Sequence, residues 1–135
     1  MSTTATETTS LIAFTLPSNP YSVQMARFYV RAALSHHKLG DHCEDAETVT
    51  SELVTNAITH ANGVTIGLEV MHLEASGAVS IIIFDASPDP PVMRSPAADF
   101  DHWRGLHVVE ALSARWGWTH QDKGKAVYAI LTRKA

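Results

Sequence analysis

A single cysteine, Cys43, stands among the 135 residues, so no internal disulfide can form and a reducing, cytoplasmic setting is the simpler expectation. Basic charge is not in excess. Ten Lys and Arg against fourteen Asp and Glu give a net charge of −4, and the basic residues are scattered apart from a tip at Arg133-Lys134. A nucleic-acid surface, which needs a basic stripe, is therefore not expected. Long apolar runs are missing too. The best of them, Val79 to Ala86, is interrupted by Ser80 and carries Asp85, far short of a membrane span. The first ten residues are polar and Thr-rich, without an apolar signal core, and read as a disordered tail over 1–10. No repeat or linker divides the rest, so 11–135 is expected to form one domain. Its composition, 45% hydrophobic and 18% charged, is that of an ordinary globular chain.

The pattern of apolar residues predicts the elements. Leu11 to Leu16 reads as a short edge strand closed by Pro17, followed by a turn at Asn19-Pro20. Ser22 is a candidate cap for a helix over Val23 to His36, with Ala26, Tyr29, Val30, Ala33 and Leu34 on one side. Gly40 ends the connection, and Asp41 opens a second helix to about Ala61; Asn62-Gly63 marks a turn. Val64 to Leu73 alternates as a half-buried strand should. Val79 to Asp85 is apolar on both faces and is expected at the centre of the sheet, with Val79, Ile81, Ile83 and Asp85 sharing one face. After a proline-stiffened loop, Gly105 is expected to open a third helix, Leu106 to Trp116, ended by Gly117. Trp118 to Gln121 and Ala126 to Thr132 complete a hairpin around Asp122-Lys123-Gly124. The order strand, helix, helix, strand, strand, helix, strand, strand implies an α+β two-layer sandwich: a largely antiparallel mixed sheet with helices on one face.

Four features carry chemistry. In Ser51-Glu52-Leu53-Val54-Thr55-Asn56-Ala57-Ile58-Thr59-His60-Ala61, Leu53, Val54, Ala57, Ile58 and Ala61 recur at helical spacing. Glu52, Asn56 and His60 are each four apart and line an adjacent edge. A carboxylate and an amide one turn apart can reach one metal ion or one reacting hydroxyl; a solvated polar stripe is the other reading. Asp85 ends an apolar strand, where a buried acid must be satisfied. It can accept from an exocyclic amine such as that of adenine, or it can cap backbone N–H groups ahead of Ser87-Pro88. Arg104-Gly105-Leu106 at a helix start suits phosphate, because the N–H groups there are free and the dipole end is positive. Gly124-Lys125-Ala126-Val127-Tyr128 taken alone is a hairpin turn entering a strand. His36, His37, His42 and Cys43 cluster near the first helix connection, but their spacing matches no zinc signature.

In this order and spacing the four features resemble one family: small ATP-binding regulators built on the histidine-kinase-like ATPase (GHKL, Bergerat) fold, and more narrowly the anti-sigma-factor serine kinases with their actinobacterial relatives. The resemblance spans about Phe14 to Leu131. It rests on Ser51 to Ala57 with His60-Ala61, on Asp85-Ala86-Ser87-Pro88, on Arg104-Gly105-Leu106-His107-Val108-Val109 with Trp116-Gly117, and on Gly124 to Tyr128. It implies ATP and Mg²⁺ as cofactors. Asn56 would hold the metal, and Asp85 would receive the adenine amine with Ser87 in the same motif. Arg104, Gly105 and Leu106 would bind phosphate, Gly124 would border the nucleotide, and Glu52 would be the general base.

The implied activity is serine/threonine-protein kinase action in partner switching. The chain would bind a sigma factor or similar client and phosphorylate a small antagonist protein; a homodimer is implied as well. Ser87 and Asp89 stand where many relatives carry glycine, and Trp103 stands where a glycine often precedes Arg-Gly-Leu. These departures leave a second reading open: a regulator that binds its partners in a nucleotide-dependent way, or without nucleotide, and transfers no phosphate.

Overall fold

The computed structural model describes residues 8–60, 63–91 and 100–132, with side chains from 106 onward in the last stretch. Five strands and three α-helices follow one another along it: β1 (Thr8–Pro17), α1 (Tyr21–His36), α2 (Cys43–His60), β2 (Thr65–Leu73), β3 (Ala78–Asp85), α3 (Phe100–Leu112), β4 (Arg115–Gln121) and β5 (Gly124–Leu131). The strands form one sheet in the order β1-β2-β3-β5-β4. Every pairing is antiparallel, so the sheet is not mixed. The architecture is the expected α+β sandwich.

Period-two burial places the core on one face of the sheet. Ile66, Leu68 and Val70 of β2, Val79, Ile81 and Ile83 of β3, and Val127, Ala129 and Leu131 of β5 are all buried. Against them lies α2, through Val49, Leu53, Val54 and Ala57. Full burial of such side chains stabilises by about 1.5–3 kcal/mol each for the larger ones. α2 touches β3 and lies between α1 and α3. Its Glu47 is buried and meets Arg27 and Arg31 of α1, which fastens the two helices electrostatically.

β1 is an edge strand, as its composition suggests, but it is longer than Leu11 to Leu16. It starts at Thr8, inside the segment read as a tail, and runs to Pro17 with a register shift between Ser10 and Ile12. The β-branched threonines suit a strand, and pairing with β2 orders a stretch that buries too little apolar surface to fold by itself. The shift bends the exposed edge, a common guard against further pairing. Ser22 is not a cap but sits buried within the first turn of α1, its hydroxyl donating to the Pro17 carbonyl. The turn is instead held by Asn19, whose Oδ1 accepts from the Tyr21 N–H at 3.0 Å. A short 3-10 turn over Gly40–His42 precedes α2. Its His42 bonds the Gly77 carbonyl at 3.1 Å, so this histidine is a strut between turns. No group of three or more His, Cys, Asp or Glu fit to hold a metal occurs among the described residues.

The end of α1 is made without glycine. Lys38 adopts φ +63°, and the Leu39 N–H reaches back to the Leu34 carbonyl at 2.8 Å. A Cβ in this left-handed region costs about 1–2 kcal/mol. Lys38→Gly is therefore expected to raise stability by about 1 kcal/mol, read as an increased midpoint in denaturant with an unchanged slope.

The third helix departs most from expectation. It runs Phe100–Leu112, so Gly105 lies inside it instead of opening it. Trp116 and Gly117 are in β4. Trp116 sits four residues beyond Leu112 and so imitates helical spacing, yet Arg115 to Gln121 pairs residue by residue with β5. Both periods bring Trp116 against the core, and the ladder, which begins where the Ala114 N–H meets the Ile130 carbonyl, prevails. Gly117 makes room for the Tyr128 ring: a Cβ there would lie 2.8 Å from the Tyr128 hydroxyl across the strand pair, so the ring would have to shift.

Candidate functional site

α2 delivers the first wall of the site. Because Leu53, Val54 and Ala57 are pinned to the core, the next edge of the helix turns Glu52, Asn56 and His60 to a half-buried position beside it. Asn56 and His60 meet the loop after β3, Ser87 and Asp89 to Pro91, and close with Lys125 around a pocket of about 280 Å³. That volume sits at the lower edge of small-molecule sites, about 300–1,000 Å³, and suits a nucleobase better than a whole nucleoside triphosphate.

Lys125 of that lining belongs to an ion pair with Asp85, which lies behind the pocket. Asp85 ends β3 on the core-facing parity, and Lys125 is its direct partner in the β3–β5 register. Lys125 Nζ donates to Asp85 Oδ1 at 3.0 Å, with both side chains almost wholly shielded from solvent. The same oxygen accepts the Ser87 N–H at 2.9 Å, and Lys125 Nζ lies 3.5 Å from the Ser87 carbonyl. Ser87 Oγ in turn accepts the Asp89 N–H at 3.2 Å. Asp85 thus does cap the loop backbone, one of the two roles open to it, and it carries a buried cation as well. These bonds fasten the start of the loop to the ends of β3 and β5.

Gly124 makes the pair possible. A Cβ on it would stand 1.9 Å from the Asp85 carbonyl oxygen and 2.9 Å from Ala86 Cα. Only glycine lets β5 approach the end of β3 this closely. Gly124 borders a second cavity, an open cleft of about 640 Å³ that reaches Gly67, Phe84, Asp85 and Lys125 at the end of the sheet, and it does not line the Asn56 pocket. Asn56 and Ser87 are therefore brought together, Asp85 stands behind them through Lys125, and Lys125 belongs to both cavities. Glu52 is one turn from Asn56 but outside the lining of that pocket. Leu106 is buried, Gly105 is on the second turn of α3, and the side chains of Trp103 and Arg104 lie outside the description.

The family described as histidine kinase-like ATPase domain matches residues 16–131, nearly the whole described chain. The chain belongs to this family. Membership in the histidine kinase-like ATPase domains implies ATP as the ligand. No curated protein matches the chain. Among solved structures it is similar to the RsbU and RsbW domains of Rv1364c from Mycobacterium tuberculosis, with a TM-score of 0.66 and 20% identity over 92% of this chain and 33% of that one. It is also similar to the histidine kinase domain of the blue-light activated histidine kinase EL346 from Erythrobacter litoralis, with a TM-score of 0.51 and 16% identity over 98% of this chain and 66% of the other. The chain thus spans a third of the first protein's length and just under two thirds of the second's. At these identities the likeness is one of fold.

For a member of the histidine kinase-like ATPase domains, the residue that sequence reasoning overlooked is Lys125. A signal was present. A lysine in the otherwise apolar run Ala126 to Leu131 and its entry is as anomalous as an aspartate ending Val79 to Phe84. Two such anomalies on strands of one sheet invite pairing, but their register is not readable from either strand alone. No helix among the described residues is long and apolar enough to cross a membrane.

Proposed function

We propose that the chain is an ATP-binding regulator of the anti-sigma-kinase type, which takes its nucleotide between α2 and the loop after β3. The observation that carries this is the convergence of Asn56, Ser87 and Lys125 on one pocket backed by the buried Asp85. Asp85 supplies a carboxylate for the adenine amine. The donor set also fits Mg²⁺, which takes one or two protein oxygens and completes its shell with water and substrate phosphates, so the single Asn56 amide oxygen suffices without a carboxylate cluster. Bound there, the ion would neutralise phosphate charge. The segment at Arg104 to Leu106 is the proposed phosphate-binding element, and the helical state of Gly105 means that α3 must open at its first turns to present backbone N–H groups.

Glu52 is the proposed base for a serine hydroxyl of a small antagonist protein, in a cytoplasmic partner-switching circuit that also holds a sigma factor or similar client. Phosphoryl transfer asks for positioning and charge neutralisation, which a base one helical turn from the metal ligand can serve. Phosphate added to the antagonist places charge at its interface and weakens its grip. With labelled ATP and a candidate antagonist protein as acceptor, Glu52→Ala is expected to lower transfer by about 10²–10⁴-fold while leaving ATP affinity within a factor of about three. Undiminished transfer removes Glu52 as the base. Asn56→Ala is expected to abolish the Mg²⁺ dependence of ATP binding, measured by calorimetry with and without the ion.

One observation favours a second reading. Glu52 lies outside the pocket lining, as suits a regulator that uses nucleotide occupancy to order its loop and alter partner affinity without transfer. Tight Mg-ATP binding with no labelled product would select it.

A further inference from the structure

We propose that Asp89 is a second protein ligand to the Mg²⁺ that Asn56 is proposed to hold, and that its carboxylate makes nucleotide binding depend on that ion. The proposal rests on the nucleotide reading above and deepens it. Asp89 lines the same pocket as Asn56, Asp89 from the loop after β3 and Asn56 from α2. It stands where many relatives carry glycine, so the carboxylate is a feature of this chain.

The charges around the pocket do not suit a polyphosphate by themselves. Lys125 is the one Lys or Arg among the residues lining it, and its ammonium is committed to Asp85 Oδ1 at 3.0 Å. That pair is neutral in sum. With the His60 imidazole neutral, above about pH 7, Asp89 leaves the lining with a negative charge. A triphosphate brought beside it meets repulsion and no uncommitted cation. A divalent ion reverses the sign of that contact. Mg²⁺ takes hard oxygen donors, and an amide oxygen with one carboxylate leaves the rest of its shell to phosphates and water. The pocket of about 280 Å³ has room for the ion and its six oxygens, which at about 30 Å³ each occupy about 180 Å³.

The loop holds Asp89 in place before any ion arrives. Its N–H donates to Ser87 Oγ at 3.2 Å, and the Ser87 N–H donates to the buried Asp85 Oδ1 at 2.9 Å. Pro88 and Pro90 flank Asp89, and Pro91 follows. Each proline fixes its own φ, and Pro90 confines Asp89 to extended conformations. Little backbone freedom is left to lose when the carboxylate takes a ligand. Asp89 is exposed, so substituting it leaves the core untouched.

The test is calorimetry of ATP binding by the full chain, with Mg²⁺ and with EDTA. Asp89→Asn is expected to bind Mg-ATP about tenfold more weakly and metal-free ATP at least about threefold more tightly than the parent, because one charge serves the first complex and opposes the second. Asp89→Cys is expected to bind ATP poorly with Mg²⁺ and well with Cd²⁺, which thiolates prefer, and to show the ultraviolet absorption of a cadmium thiolate. The parent, whose Cys43 is buried, is the control for that band. Asp89→Asn affinities that are unchanged, or that shift in the same direction with and without Mg²⁺, overturn the role of Asp89 while the nucleotide reading stands. So does a Cys variant that Cd²⁺ fails to rescue. Failure of the parent to bind ATP under either condition overturns both.

Discussion

Lys125→Met is expected to lose about 3–5 kcal/mol of folding stability, the cost of leaving one member of a buried ion pair without its partner. The methionine fills nearly the same volume, so the loss is electrostatic and not a cavity effect. The Asp85 carboxylate would remain shielded from water with only the Ser87 N–H to satisfy it. The control is the double variant Asp85→Leu with Lys125→Met, which removes both charges. Because replacement of a whole buried pair by apolar groups is often neutral or stabilising, this variant is expected to recover most of the loss while binding no nucleotide. Urea denaturation of the two variants and the parent separates the outcomes. A Lys125→Met variant within about 0.5 kcal/mol of the parent would mean that Asp85 reaches water or another cation, contrary to the burial seen here. The comparison also bears on why the pair exists. If the apolar double variant is as stable as the parent, the pair contributes nothing to the fold that hydrophobic residues would not, and its presence is explained by ligand recognition.

The second large effect is expected at Gly124. Gly124→Val should destabilise by about 3 kcal/mol or more, because the contact it creates is with backbone and no side chain can turn aside to relieve it. A Cβ 1.9 Å from the Asp85 carbonyl oxygen forces the end of β3 away from the start of β5. That movement separates Asp85 from Lys125, so ATP affinity should fall more than tenfold even at temperatures where the variant is folded. Gly77→Ala is the contrast. It lies at φ +77° in the β2–β3 turn with open space around it, so its cost is conformational only, about 1 kcal/mol, with ATP affinity unchanged. Thermal melts and calorimetric titrations on both variants distinguish a clash in the site from general strain.

Much of the architecture was legible because the two hydrophobic periods are clean where one face of an element is buried. Ile66, Leu68 and Val70 alternate, Ala26, Val30, Ala33 and Leu34 follow a helix, and Ile81 to Phe84 is apolar on both faces because β3 is the middle strand. Legibility failed where neighbours decide. Thr8 to Ser10 is exposed and has no alternating apolar face to mark a strand, and it is ordered by pairing with Met71 to Leu73. Trp116 satisfies helical and strand periods alike, and only the β5 partner chooses. Gly105 looks like a helix opener, yet a glycine within a helix costs only about 1 kcal/mol, which packing of α3 against α2 can outweigh. Within the site, the spacing of Glu52, Asn56 and His60 was readable because helix geometry is local. The pairing of Asp85 with Lys125 was not, since forty positions separate them.

By itself, then, the amino-acid order determined the kinds of element, the face each one buries and the polar edge of α2, because side-chain periodicity and turn chemistry act over a few residues. The tertiary structure decided the rest: that β5 enters between β3 and β4, that Gly124 seats its backbone against the end of β3, and that a buried lysine meets the aspartate intended for a base. Those outcomes depend on strand order and register, which arise from contacts between segments distant in the chain and leave no mark on either segment alone.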